Sequence, residues 1–182
     1  MNEQRSRETR ARAETALVRL LHALEGADVF LVVLGGLVPE VLASDEALVP
    51  VHLGTTDVDL LLITHVDPDA DLGAVERALE QLDFKPDPRE DGWRWHGPIE
   101  GVPVKLEFLC DLPDYREGEV IRPSGCRALS AQNLRGTGYV VRHFAWEELS
   151  GEVADDVAGK GSLRSYGPSA ASEVTVTPSG RV

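Results

Sequence analysis

Asp57-Val58-Asp59-Leu60-Leu61-Leu62-Ile63-Thr64 is the stretch on which the reading of this chain turns. It opens with two carboxylates two residues apart and continues as an unbroken apolar run. Successive side chains on a strand point to opposite faces, so positions i and i+2 project together. Asp57 and Asp59 are therefore expected side by side on one face of a buried strand. Two like charges in an apolar segment are costly unless something compensates them. A divalent ion does so readily, since Mg²⁺ is held by one or two carboxylates together with substrate phosphates.

Two further segments join this one. Val29 to Leu34 is a short β-branched run, read as a buried strand that ends abruptly at Gly35-Gly36. Val104-Lys105-Leu106-Glu107-Phe108-Leu109 alternates apolar and polar residues. Val104, Leu106 and Phe108 share one face of it, and Lys105, Glu107 and Leu109 the other. If the strands neighbour each other, Glu107 joins Asp57 and Asp59 in one acidic cluster. Asp111 is the alternative third acid, although it is expected beyond the strand end. Such a cluster suits two-metal phosphoryl transfer. Glycine lets backbone approach phosphate oxygens closely, and N–H groups at a following helix start favour an anion. Lys105 could reach a phosphate from the acid-bearing face; the competing readings are an exposed strand lysine and a surface Glu107 paired with Lys105 or Arg94.

Around this centre the chain reads as alternating helices and strands. Ser6 to Glu25 is expected as a helix, with Leu17, Leu20, Leu21 and Leu24 on one face and Gly26 as its stop. Interleaved Arg and Glu residues mark its solvated side. Leu37 to Ala43 reads as a short helix with Pro39 in its first turn. Leu72 to Leu82 is an amphipathic helix, capped by one of Asp67, Asp69 and Asp71. Trp93 to His96 and Val102 to Leu109 read as strands joined through Gly97 to Gly101. Trp93 and Trp95 are expected to pack on the sheet. Val120-Ile121 and Tyr139 to Phe144 are weaker strand candidates. The reading is an α/β (α+β) fold: residues 1–145 form one domain with its core at about 27–111, and 146–182 form a Gly/Ser-rich tail, loosely attached, whose one strand-like scrap is Glu173 to Val176.

Composition narrows the function. The 182 residues carry a formal net charge of −13, which argues against coating nucleic acid by phosphate neutralisation. Cys110 and Cys126 are the only cysteines and match no zinc spacing. Cys110 reads as a buried strand residue. His22, His65, His96 and His143 match no ligand spacing. The first residues are rich in Arg and Glu with no apolar leader, and no run approaches a membrane span, so the chain is expected to be cytoplasmic, with no membrane partner.

Leu34-Gly35-Gly36, Asp57-Val58-Asp59 and a later single carboxylate in a strand together resemble the nucleotidyltransferase superfamily with the polymerase-β-type fold. Within it the chain is similar to the AbiEii-like and minimal nucleotidyltransferase group, over roughly Val29 to Asp111. The resemblance implies a mixed sheet flanked by helices and transfer of NMP from an NTP to a hydroxyl of RNA, protein or a small molecule, with two Mg²⁺ ions. It implies Asp57, Asp59 and Glu107 as catalytic metal ligands and Gly35 and Gly36 as the phosphate-contacting turn. It also implies a toxin-like role with a protein partner such as a cognate antitoxin. The chain departs from the pattern in three places. The gap from Gly36 to Asp57 is long. Gly54, Thr55 and Thr56 stand where relatives often carry a basic residue, leaving His52 as the nearest cation. No helix pair follows Phe144. A catalytically degenerate nucleotide- or partner-binding module is therefore the competing expectation.

Overall fold

The computed structural model describes residues 7–27, 29–37, 55–63, 71–142, 145–146, 163–164 and 172–176. Helix α1 spans Arg7–Ala23 and buries Ala13, Ala16, Leu17, Leu20 and Leu21, with Leu24 just beyond its end. This is the apolar stripe of a one-sided helix. Its outer side carries i,i+4 pairs, Arg10 with Glu14 at 2.6 Å and Arg12 with Glu8 at 3.9 Å. Gly26 follows with φ +86°, as its place after the periodic stripe predicts.

Strand β1 (Phe30–Leu34) runs into a 3₁₀ turn at Gly35–Leu37. Only Leu37 of the helix expected at 37–43 falls within the described residues. Strand β2 covers Asp57–Leu62 and helix α2 covers Leu72–Gln81. Asp71 occupies the N-cap position of α2, yet its carboxylate pairs with Arg77 instead of the helix N–H groups. Asp67 and Asp69 lie outside the described residues. A short β3 (Lys85–Pro86), β4 (Arg94–Ile99) and β5 (Val102–Cys110) follow. The β4–β5 hairpin turns through Glu100 and Gly101, both at positive φ, the signature of a two-residue primed turn. Beyond Asp111 come β6 (Val120–Ile121), β7 (Ala131–Asn133), β8 (Ala145–Trp146), β9 (Leu163–Arg164) and β10 (Ser172–Val176).

The described strands form one mixed sheet ordered β3-β4-β5-β2-β1-β10-β8, with β6, β7 and β9 joined alongside. This is the α+β arrangement expected. β2 runs parallel to β5 and antiparallel to β1, and β4 is antiparallel to β5. The connection from β2 back to a parallel neighbour carries α2, as a crossover requires. Two differences from the sequence reading stand out. Residues 137–142 form a 3₁₀ turn where a strand was expected. Ser172–Val176, expected in a loosely attached tail, lines up antiparallel beside β1.

The principal core lies between the helices and one sheet face. Leu17, Leu20, Leu21, Val75 and Leu79 meet Val58, Leu60, Leu106, Phe108 and Trp95 there. Trp95 is buried, and its indole N–H donates to the Gly92 carbonyl at 2.9 Å. The other face has a smaller apolar cluster of Val32, Leu34, Leu61, Ile63, Trp93 and Leu109. Among the described residues no helix is long and apolar enough to cross a membrane.

Glu76 on α2 fixes the loop that leads into β7. One carboxylate oxygen accepts the backbone N–H groups of Arg127, Ala128 and Leu129 at 2.8, 2.9 and 2.8 Å. Burial works against its charge, but those N–H groups together outweigh it and hold the carboxyl below its ordinary value. Glu76→Ala strands three N–H donors and is expected to cost about 3 kcal/mol of folding stability, read by chemical denaturation. Because the folded-state pKa is depressed, this stabilisation is present above the unfolded value and lost as pH falls through the folded one. A Glu76→Ala penalty as large at acid pH as at pH 7 contradicts this assignment.

Candidate functional site

The parallel pairing of β2 with β5 sets Asp57 opposite Lys105 and Asp59 opposite Glu107. All four belong to the sheet face away from the helices, because Val58, Leu60, Leu106 and Phe108 fill the alternate positions in the core. On the same strands this face becomes apolar further along, at Leu61 and Leu109. The charged patch is thus the end of a face whose remainder is packed. Asp57, Asp59 and Glu107, singled out from the sequence, come together on two hydrogen-bonded strands.

The glycine turn lies directly against them. Leu34 pairs with Asp59 across β1 and β2, so the chain leaves β1 beside that carboxylate. Gly35 has φ +73°, and a Cβ there would fall 2.0 Å from Asp59 Oδ2. A Cβ on Gly36 would sit 2.8 Å from Thr55 Cβ. Glycine is needed at both places, at Gly35 for conformation as well as space.

Lys105 is the cation at the centre. Its Nζ lies 2.9 Å from Asp57 Oδ2 and 2.6 Å from Glu107 Oε1. Burial disfavours its charge, but hydrogen bonds to Glu107 and Asp57 prevail and hold its pKa above the ordinary lysine value. The structure thus pairs Lys105 with Asp57 as well as with Glu107. Arg94, opposite Glu107 on β4, approaches the same Oε1 with Nε at 2.7 Å. Its Nη1 reaches Glu90 Oε1 at 2.7 Å, and its guanidinium carbon lies 4.1 Å from the Trp93 ring centroid.

Asp59 bears the consequence of this crowding. Burial above all, then the negative charges of Glu107 and Asp57, push its carboxyl up to about 7 against the pull of Lys105. A hydrogen bond shared with Glu107 adds to the rise.

Carboxylate oxygens on adjacent strands are the ligand type that a hard divalent cation takes. The arrangement is not a ready cage. Among the described residues no group of three or more His, Cys, Asp or Glu side chains is set to hold a metal ion. Lys105 bridges two of the three carboxylates, Asp57 and Glu107.

Sequence reasoning passed over two contributors. Thr55 donates its hydroxyl to Asp57 Oδ1 at 2.6 Å and fixes that carboxylate from the strand entry. Its only signal was a small hydroxyl residue just before the acidic pair. Arg94 figured only as an ion-pair partner for Glu107, and its cross-strand position became visible only with the β4 register. Asp111 is removed from the site: it follows β5, and its carboxylate accepts the N–H groups of Gly136 and Gly138 at 3.1 and 2.5 Å. His96 pairs with Asp87 at 3.3 Å. Cys110 is buried, and desolvation pushes its thiol up to about 11, which leaves it without thiolate character.

Two outcomes are expected. Gly35→Ala forces a side chain into the Asp59 carboxylate at a left-handed position and is expected to cost about 2 kcal/mol or more, measured by denaturant unfolding. Asp59 gives a pH signature. Its raised pKa means that the folded protein binds the extra proton between the ordinary aspartate value and about 7. Its contribution to stability therefore falls as pH rises through that window. Asp59→Asn removes the fall, so the stability of the variant relative to the parent should climb from pH 4 to 7 and level off above. A flat difference across that range excludes the raised value.

No protein-family model, curated protein or solved structure matches this chain.

Proposed function

We propose that the chain is a Mg²⁺-dependent nucleotidyltransferase domain that moves NMP from an NTP to an acceptor hydroxyl on RNA, protein or a small molecule, acting in the cytoplasm. The observation that carries the reading is the juxtaposition of Asp57, Asp59 and Glu107 on one sheet face with Gly35 pressed against Asp59. The motif resemblance supports it, since the three segments that carry the resemblance are the ones that meet here.

Asp57, Asp59 and Glu107 would hold the divalent ions. When bound, these ions polarise the phosphoryl oxygens and lower the pKa of a coordinated hydroxyl. The residues of the chain do the rest. Thr55 keeps the Asp57 carboxylate aimed, and Arg94 keeps Glu107 aimed. Gly35 and Gly36 would meet the triphosphate through backbone N–H groups of their turn. Lys105 supplies a cation to a phosphate oxygen. In the displacement, the acceptor oxygen bonds to the α-phosphorus, the bond to the bridging oxygen breaks, and pyrophosphate leaves with that electron pair. The acceptor proton passes to the carboxylate cluster.

A specific observation favours a second reading. Lys105 bridges Asp57 and Glu107, and Arg94 clamps Glu107. With those pairs permanent, the same fold binds a nucleotide or a partner without turnover.

The test is incubation with each α-labelled NTP, Mg²⁺ and total cell RNA or protein, followed by a search for labelled acceptor. Asp57→Asn, Asp59→Asn and Glu107→Gln should each lower labelling by about 10³-fold, since several kcal/mol of transition-state stabilisation is at stake. Full labelling in both aspartate variants overturns the assignment. Metal-dependent nucleotide binding by calorimetry with no product under any NTP establishes the second reading instead.

A further inference from the structure

We infer that Asp91-Gly92 is a site of spontaneous isoaspartate formation, coupled through the Gly92 carbonyl to the anchoring of Trp95. The inference is independent of the nucleotidyltransferase reading.

Asp91-Gly92 is the only Asp-Gly step in the chain. It fills the centre of a four-residue turn that leads into β4, closed by the Trp93 N–H donating to the Glu90 carbonyl at 3.2 Å. Asp91 has φ +47° and Gly92 φ +85°, so both central residues are left-handed, as in a primed turn. Such a turn selects Asp-Gly for conformational reasons, because Asp is among the few L residues that accept this region. The same dipeptide favours a reaction. Glycine puts no Cβ beside its nitrogen, so the nitrogen can approach the preceding carboxyl. Asp91 is exposed. Among the described residues neither its carboxylate nor the Gly92 N–H has a hydrogen-bond partner. Both reacting groups are therefore available.

In the first step the Gly92 nitrogen bonds to Asp91 Cγ, and the carboxyl hydroxyl leaves with the amide proton as water. The product is a five-membered imide. Water then adds back. Attack at Cγ restores aspartate. Attack at the main-chain carbonyl breaks its bond to the Gly92 nitrogen and routes the chain through Cβ and Cγ. One water leaves and one returns, so no oxidant or cofactor enters.

The isomer has an extra carbon in the main chain between Asp91 Cα and the Gly92 nitrogen. Gly92 is buried, and a Cβ there would fall 2.0 Å from the Ala128 carbonyl oxygen, so it has no room to shift that way. Its own carbonyl accepts the Trp95 indole N–H and the Ser130 N–H, both at 2.9 Å. The added carbon displaces that carbonyl and releases both donors, one of them on a tryptophan of the principal core. The coupling runs both ways. Imide formation needs the turn to open, and the two hydrogen bonds oppose local opening.

The full-length chain is aged folded, at neutral pH and physiological temperature. Isoaspartyl carboxyls are then labelled with an isoaspartate methyltransferase and radioactive S-adenosylmethionine, and located by peptide mapping. Label is expected at Asp91 ahead of every other aspartate. Asp91→Gly keeps a residue that accepts the left-handed region and should abolish it. Asp91→Asn, whose amide leaves more readily, should raise it severalfold. Trp95→Phe removes the indole donor and should also raise it, with circular dichroism as the check on folding. Aged protein sorted by pulse proteolysis across a urea series should show the isomerised molecules unfolding at lower urea than the rest. No label at Asp91 in the aged folded chain, whether or not the chain aged in urea acquires it, overturns the inference. Label at Asp91 with an unchanged urea midpoint overturns the coupling to Trp95.

Discussion

The in-register parallel pairing of β2 with β5 is the constraint on which the site depends. It places Asp59 beside Glu107 and Asp57 beside Lys105, and it puts Val58, Leu60, Leu106 and Phe108 together on the core side. The two consequences are inseparable, because the side-chain period of a strand is two. A slip of one residue would carry the acids into the core and the apolar side chains out. The hydrophobic packing of the helices therefore fixes the register, and the register assembles the charges. Burial on one face, a non-directional effect, is thereby turned into a specific arrangement on the other.

That arrangement concentrates negative charge where water is partly excluded. Burial of Asp59, together with the charges of Glu107 and Asp57, pushes its carboxyl up to about 7. Lys105 and Arg94 offset the remainder from the two strands that offer long side chains on the same face.

The chain beyond β5 is organised by different forces. Asn133 is buried, and its side chain accepts the Leu112 N–H at 2.8 Å while its amide donates to the carbonyls of Leu112, Tyr115 and Arg116 at 3.1 Å each. Asp111 and Glu76 hold two further loops through backbone N–H groups. Three polar side chains thus replace apolar periodicity as the source of order here. Each satisfies backbone groups that the loop itself leaves without partners.

This difference explains what was legible. Helix α1, strands β1, β2, β4 and β5, and helix α2 follow from local periodicity, since each buries one stripe or one face and writes that pattern into its own residues. The same alternation put Asp57 with Asp59, and Lys105 with Glu107, before any contact was known. Strand β7, the 3₁₀ turn at 137–142 and the pairing of Ser172–Val176 with β1 carry no such pattern, because their partners lie far away in the chain. Only the tertiary structure decided that Lys105 bridges Asp57 and Glu107, that Arg94 joins it on the same Glu107 oxygen and that Gly35 touches Asp59. Local sequence determines which face a side chain takes, because that depends on the dihedral period of its own strand. It does not determine which strand lies alongside, because that depends on how distant apolar surfaces pack.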